Sequence, residues 1–140
     1  MIIGTIVNGV VIDHIPAGRG MQIYHYLKLD EVNCEVAIIK NAESKKHQKK
    51  DILKINEVID LNYDMLGYID PLITVNIIRG GQRVEKIHPV LPETLTGVIR
   101  CKNPRCITSV EQELPHVFRL TDREKGVYRC MYCDTMGGKR

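Results

Sequence analysis

Residues 51–58 read DILKINEV. Apolar and polar side chains alternate along this stretch, the period of a strand with one face buried. Working upstream, residues 41–50 are polar and predict a loop. CEVAIIK at 34–40 predicts a strand before it. Residues 18–29 place Met21, Ile23, Tyr24 and Leu27 at helical spacing. IIGTIVNGVVIDHI at 2–15 is rich in β-branched residues and predicts one or two strands, with Asn8-Gly9 as a turn. Pro16, Gly18 and Gly20 end that pattern. Working downstream, DLNYDMLGYI at 60–69 suits a short helix and LITVNIIR at 72–79 a strand. Gly80-Gly81 is a turn and Arg83 to Val90 its hairpin partner. The order is β-α-β-β-α-β with a hairpin extension. That is an α+β, ferredoxin-like arrangement, an antiparallel sheet with two helices on one face. Pro89 and Pro92 follow, and the boundary between two domains is expected at 94/95.

Composition sets the outer limits. The 140 residues are 44% hydrophobic and 26% charged, with one Phe and no Trp. This balance excludes collagen-like, low-complexity and broadly disordered chains, and leaves a core to Ile, Val and Leu. The longest apolar run, Val36 to Ile39, is far short of the roughly 20 residues that span a bilayer. The first residues lack a charged start and a small-residue cleavage site. No membrane association and a cytoplasmic location are expected. Residues 1–92 carry 11 Lys/Arg against 11 Asp/Glu, and residues 93–140 carry 9 against 6. Neither part has the basic excess of a dedicated nucleic-acid binder.

Four of the five cysteines crowd into the last 40 residues. CKNPRC at 101–106 and CMYC at 130–133 give the spacing C-x4-C-x23-C-x2-C. Two close pairs far apart in sequence are what a tetrahedral metal centre needs, each turn contributing two thiolates. Cys101, Cys106, Cys130 and Cys133 are therefore candidate ligands, and four thiolates favour zinc. They fill all four positions, so the site is read as structural. The intervening residues 107–129 hold two short β-like stretches and too few apolar side chains to fold unaided. Residues 95–140 are expected to be a small all-β, zinc-ribbon-like domain. Four unrelated thiols or a redox CxxC are the alternatives. Arg100, Lys102, Arg105, Arg119, Arg123 and Arg129 around the cysteines suit a nucleic-acid surface, a protein-docking surface or plain solvation. Cys34, alone in the first half, is expected to be a core thiol.

The first domain offers fewer signals. Asp13-His14 at a strand end is a candidate for ligand contact or proton transfer, or a turn with a surface imidazole. Lys45, Lys46, Lys49 and Lys50 around His47 and Gln48 read as a phosphate site or, more commonly, a solvated loop. Lys54 points from a sheet face, where a lone lysine can neutralise a phosphate, and Lys86 holds a comparable place on the last strand. Neither G-x-S-x-G nor a Walker loop is present.

Taken together, GVVIDHIPAG at 9–18, KKDILKIN at 49–56, ITVNII at 73–78, PE at 92–93 and the four cysteines make the chain resemble the aspartate carbamoyltransferase regulatory chain along nearly its whole length. The resemblance implies a non-catalytic subunit. Residues 1–94 would be an allosteric domain binding CTP, UTP and ATP and pairing two regulatory chains. Residues 95–140 would hold zinc and dock on the catalytic chain, three regulatory dimers bridging two catalytic trimers in pyrimidine synthesis. It further implies that Asp13 and His14 contact ribose and phosphate. Lys54 would lie near base and ribose, Asn76 would line the site and Lys86 would bind triphosphate. Ile6 and Ile78 would border the base and Ile3 the ribose. The chain departs from the family pattern at Gly81, where a tyrosine is common, at Gly4, which lacks an acidic side chain, and in a short N-terminal arm. Those departures bear on effector preference rather than on fold.

Two other classes compete with this reading. One is a stand-alone zinc-ribbon protein that binds nucleic acid. The near-neutral first half and the lack of stacking aromatics around the cysteines count against it. The other is an enzyme using Asp13 and His14, which lacks a nucleophile signature or an open metal position.

Overall fold

The computed structural model describes residues 6–43, 49–59 and 63–137. Strand β1 (Gly9–Pro16) leads into helix α1 (Gly20–Tyr26) and a 3-10 turn at Leu29–Glu31. Strands β2 (Val36–Glu43) and β3 (Lys49–Ile55), helix α2 (Asp64–Ile69), and strands β4 (Thr74–Arg79) and β5 (Gln82–Ile87) follow. The sheet order is β2-β3-β1-β4-β5, and every neighbouring pair is antiparallel. With β1 between β3 and β4, this is the split βαβ sheet, extended at one edge by β5.

Strand period decides which residues meet. Val10 and Ile12 on β1, Leu53 and Ile55 on β3, and Val75 and Ile77 on β4 are buried in one cluster. Ile23, Leu27 and Leu29 join that cluster, as do Met65, Leu66 and Ile69 of α2, so both helices cover the same face. The residues between them in sequence, Val11, Lys54 and Asn76, necessarily face the other way.

Three details differ from the expectation. The polar stretch 41–50 is partly strand. Ala42 pairs with Lys50 and Glu43 with Lys49, beyond a bulge that contains Asn41 at φ 60. A ladder needs backbone groups, not apolar side chains, and this one lies against an exposed sheet edge. β1 begins at Gly9, which is thus a strand residue, and residues 2–5 of the expected first stretch lie outside the described residues. Asn8 Oδ1 accepts the Gly80 N–H at 3.1 Å, and the Val7 carbonyl accepts that of Gly81 at 2.8 Å. Both helices are shorter than their apolar patterns. A further feature had no sequence signal: Asp51 is fully buried and accepts the backbone N–H groups of Gly18 (3.1 Å), Gly20 (3.0 Å) and Asn41 (3.0 Å).

Strands β6 (Thr94–Thr96), β7 (Val117–Asp122) and β8 (Val127–Cys130) form a second antiparallel sheet in that order. A four-residue helix α3 (Ile107–Val110) follows Cys106. Leu95, Ile99, Phe118 and Tyr128 form a separate buried cluster with Cys101, Cys106 and Cys130. Val98 packs against both clusters. Tyr68 of α2 meets Tyr128 edge-on, ring centroids 5.3 Å apart. Gly67 comes so close to the Val90 carbonyl that any side chain there would collide with it. Among the described residues no helix is long and apolar enough to cross a membrane.

Candidate functional site

The outer face of the first sheet gathers the candidate residues. Val11 of β1 pairs with Lys54 on one side and Asn76 on the other, and Asn76 pairs with Lys86 of β5. Lys54, Val11, Asn76 and Lys86 thus form one row across four strands, with about 14 Å between the outer Cα atoms. Two long cationic side chains flank this row. Asn76 Nδ2 donates to the Val11 carbonyl at 3.2 Å, while its Oδ1 is buried without a partner among the described residues. A buried acceptor left open is costly unless something donates to it.

Asp13 lies on the same face, two residues along β1 from Val11 and paired with Thr74. Between Ile12 and Ile15 the ladder with β3 shifts, and His14 takes φ 58. This left-handed residue turns the imidazole toward β4, where Nδ1 lies 3.3 Å from Thr74 Oγ1. The His14 N–H donates to Asp13 Oδ1 at 2.6 Å, and Lys50 Nζ donates to the same oxygen at 3.0 Å. His14, Lys49 and Lys50 line a hollow of about 310 Å³ together with Pro16, Ala17, Asp70 and Leu72. Lys50 belongs to this constellation although its polar neighbours suggest a loop. Only the pairing of β2 with β3 reveals its direction. Ile6 and Ile78 flank Gly9: Ile78 is its ladder partner, and Ile6 Cγ2 occupies the space a Gly9 side chain would need. Ile3, Lys45, Lys46 and His47 lie outside the described residues.

The four distal cysteines converge. Their sulfurs all lie within 4.8 Å of one another. Cys101 and Cys133 are 3.6 Å apart, and Cys106 and Cys130 3.7 Å. A tetrahedron with metal–sulfur bonds of 2.3 Å has edges of about 3.8 Å, so the cluster fits a metal ion. Each short edge joins one cysteine from each turn. Burial, and then the neighbouring thiols, push Cys101 up to about 12. Hydrogen bonds from Thr135, its side chain first, lower Cys133 to about 6. The surroundings thus favour the thiolate at Cys133 and oppose it at Cys101, where a metal's charge would offset the cost of ionisation.

Comparison with known proteins agrees with both halves. Residues 1–90 match the family model "Aspartate carbamoyltransferase regulatory chain, allosteric domain", and residues 93–139 match the metal binding domain of the same chain. The chain belongs to the family of aspartate carbamoyltransferase regulatory chains. It is 53% identical to the regulatory chain of Clostridium botulinum over 132 residues, 94% of this chain and 90% of that one. It is 54% identical to that of Clostridium acetobutylicum over the same shares, and 45% identical to that of Bifidobacterium longum over 96% of both chains. An aspartate carbamoyltransferase regulatory chain is a non-catalytic subunit, and its partner is a catalytic chain.

Proposed function

We propose that residues 1–94 bind the nucleotide effectors CTP, UTP and ATP on the outer sheet face. Residues 95–140 hold one structural zinc ion and dock on the catalytic chain, in the cytoplasm. The observation that carries this is the row of Lys54, Asn76 and Lys86 beside Asp13 and His14. Cations at both ends suit an anion too long for one lysine. The open Asn76 Oδ1 suits a hydrogen-bond donor, and Asp13 suits ribose hydroxyls. Ile6 and Ile78 offer apolar surface to a base, and Ile3 belongs to the same proposed set. Zinc is supported by the all-sulfur donor set and its spacing. Docking is supported by Ile107, Val110, Met131, Tyr132 and Met136, large apolar side chains that all stand exposed around the cysteines. The sheet edges at β2 and β5 suit addition of a second regulatory chain. A nucleotide alters the catalytic chain only if its affinity differs between two states of the assembly.

Isothermal calorimetry of the full-length chain with CTP and with ATP tests the site. Removing one charge-assisted bond to phosphate costs about 1.5–3 kcal/mol. Lys54→Ala and Lys86→Ala should therefore each weaken binding by about tenfold to a hundredfold. Wild-type affinity in both variants would mean that the site lies elsewhere.

A further inference from the structure

The sulfur cluster carries an outer layer of oriented donors. Thr135 Oγ1 lies 3.2 Å from Cys133 Sγ and 3.3 Å from Asn103 Nδ2. An amide nitrogen only donates, so Asn103 gives a proton to the Thr135 oxygen. As a thiol, Cys133 donates to the Thr135 oxygen; as a metal-bound thiolate the sulfur has no proton and only accepts, so with the metal in place the Thr135 hydroxyl donates to it. Asn103 is itself fixed: its Oδ1 accepts the Arg105 N–H at 3.0 Å, and its carbonyl accepts the Ser109 hydroxyl at 2.6 Å. The Thr135 carbonyl accepts the Cys130 N–H at 2.9 Å. The relay therefore runs from the first cysteine turn to the second.

Cys133 also differs from its partners in access. Cys101, Cys106 and Cys130 are buried, whereas Cys133 is half-buried. A second hydroxyl, Thr108 Oγ1, lies 3.1 Å from Cys106 Sγ, but that pair is shut away from solvent. A reagent in water meets the centre at Cys133, the sulfur that Thr135 serves.

We propose that the Asn103–Thr135 relay controls the reactivity of the metal centre at its most accessible sulfur, Cys133. Thr135 engages a thiolate lone pair and so slows attack by that sulfur on electrophiles, and with it loss of the metal. This rests on zinc occupying the four-cysteine site. Thr135 and Asn103 act here as positioning residues, since neither is a ligand.

The test uses the full-length zinc-loaded chain and limiting iodoacetamide. The Cys133 sulfur forms an S–C bond as iodide leaves. The neutral thioether is a poor ligand, and zinc passes to a chromogenic indicator. Peptide mass mapping should find Cys133 alkylated first. Thr135→Val should speed both alkylation and zinc release about tenfold. Thr135→Ser should restore wild-type rates, and Thr108→Val should leave the Cys133 rate unchanged. First labelling at Cys101, Cys106 or Cys130, which needs no variant to observe, overturns the proposal. So does a zinc-loaded Thr135→Val that reacts at the wild-type rate. Metal content measured beforehand separates the claims: a folded wild-type chain without zinc overturns the metal reading as well.

Discussion

Asp51 shows how much one residue can hold. Three backbone N–H groups from two separate segments converge on a carboxylate with no exposed surface. Hydrogen bonds to a charged acceptor are worth about 1.5–3 kcal/mol each, but their losses are partly shared when water replaces the acceptor. Asp51→Ala should lower stability by about 3 kcal/mol, and Asp51→Asn by less, read from midpoints of urea unfolding. An unchanged midpoint for Asp51→Ala would show that those donors find other partners at no cost. Asp51 carried no signal in the sequence and Lys50 was legible only as one of a basic run, because their roles depend on where β3 passes β1 and β2. Lys54 and Lys86 were legible individually from their places on strands, and Asn76 only through the family resemblance. Their alignment in one row was not, because register across four strands is a tertiary fact. His14 was legible as a neighbour of Asp13, but its left-handed backbone and its approach to Thr74 follow from a bulge that the motif does not announce.

At the scale of elements, the first sheet is secured by apolar burial and the second by its cysteines. Strands β1, β3 and β4 each contribute two or more buried aliphatic side chains to one core. Among the described residues, the buried side chains of the second core are Leu95, Ile99, Phe118 and Tyr128 besides three cysteines. Removing the metal with a chelator should therefore unfold β6 to β8 while β1 to β5 persist. In hydrogen exchange, amides of Phe118 and Tyr128 should lose protection, and those of Val10, Leu53 and Val75 should keep it. Metal-free protein with β7 and β8 still protected would show that the small core suffices. Acid should favour metal loss, because protons compete for the four sulfurs, and the centre should be recovered as pH rises. The order of strands and helices in the first domain was legible because each carries its own period. The two short elements β6 and α3 were not, since three- and four-residue segments shaped by cysteine turns have no period to read.

For the whole molecule, the cysteine spacing announced a metal centre, but nothing in the sequence announced how closely the two halves pack. Val98 belongs to both cores, Tyr68 of α2 meets Tyr128 of β8, and Arg123 donates to the Leu91 carbonyl at 2.9 Å. Gly67 lets α2 lie directly on the linker backbone at Val90. A change in the first sheet on binding a nucleotide thus has a continuous physical route to the metal-bearing half. The most direct test assembles the full-length chain with catalytic chains and follows carbamoyltransferase activity against CTP and ATP. Wild type is compared with the Lys54→Ala/Lys86→Ala double variant. The expected result is that the double variant still assembles, and that the nucleotide concentration for half the response rises by about a hundredfold or more. A double variant that responds at wild-type nucleotide concentrations, or a wild-type assembly indifferent to nucleotides, would contradict the assignment of the sheet face as the effector site.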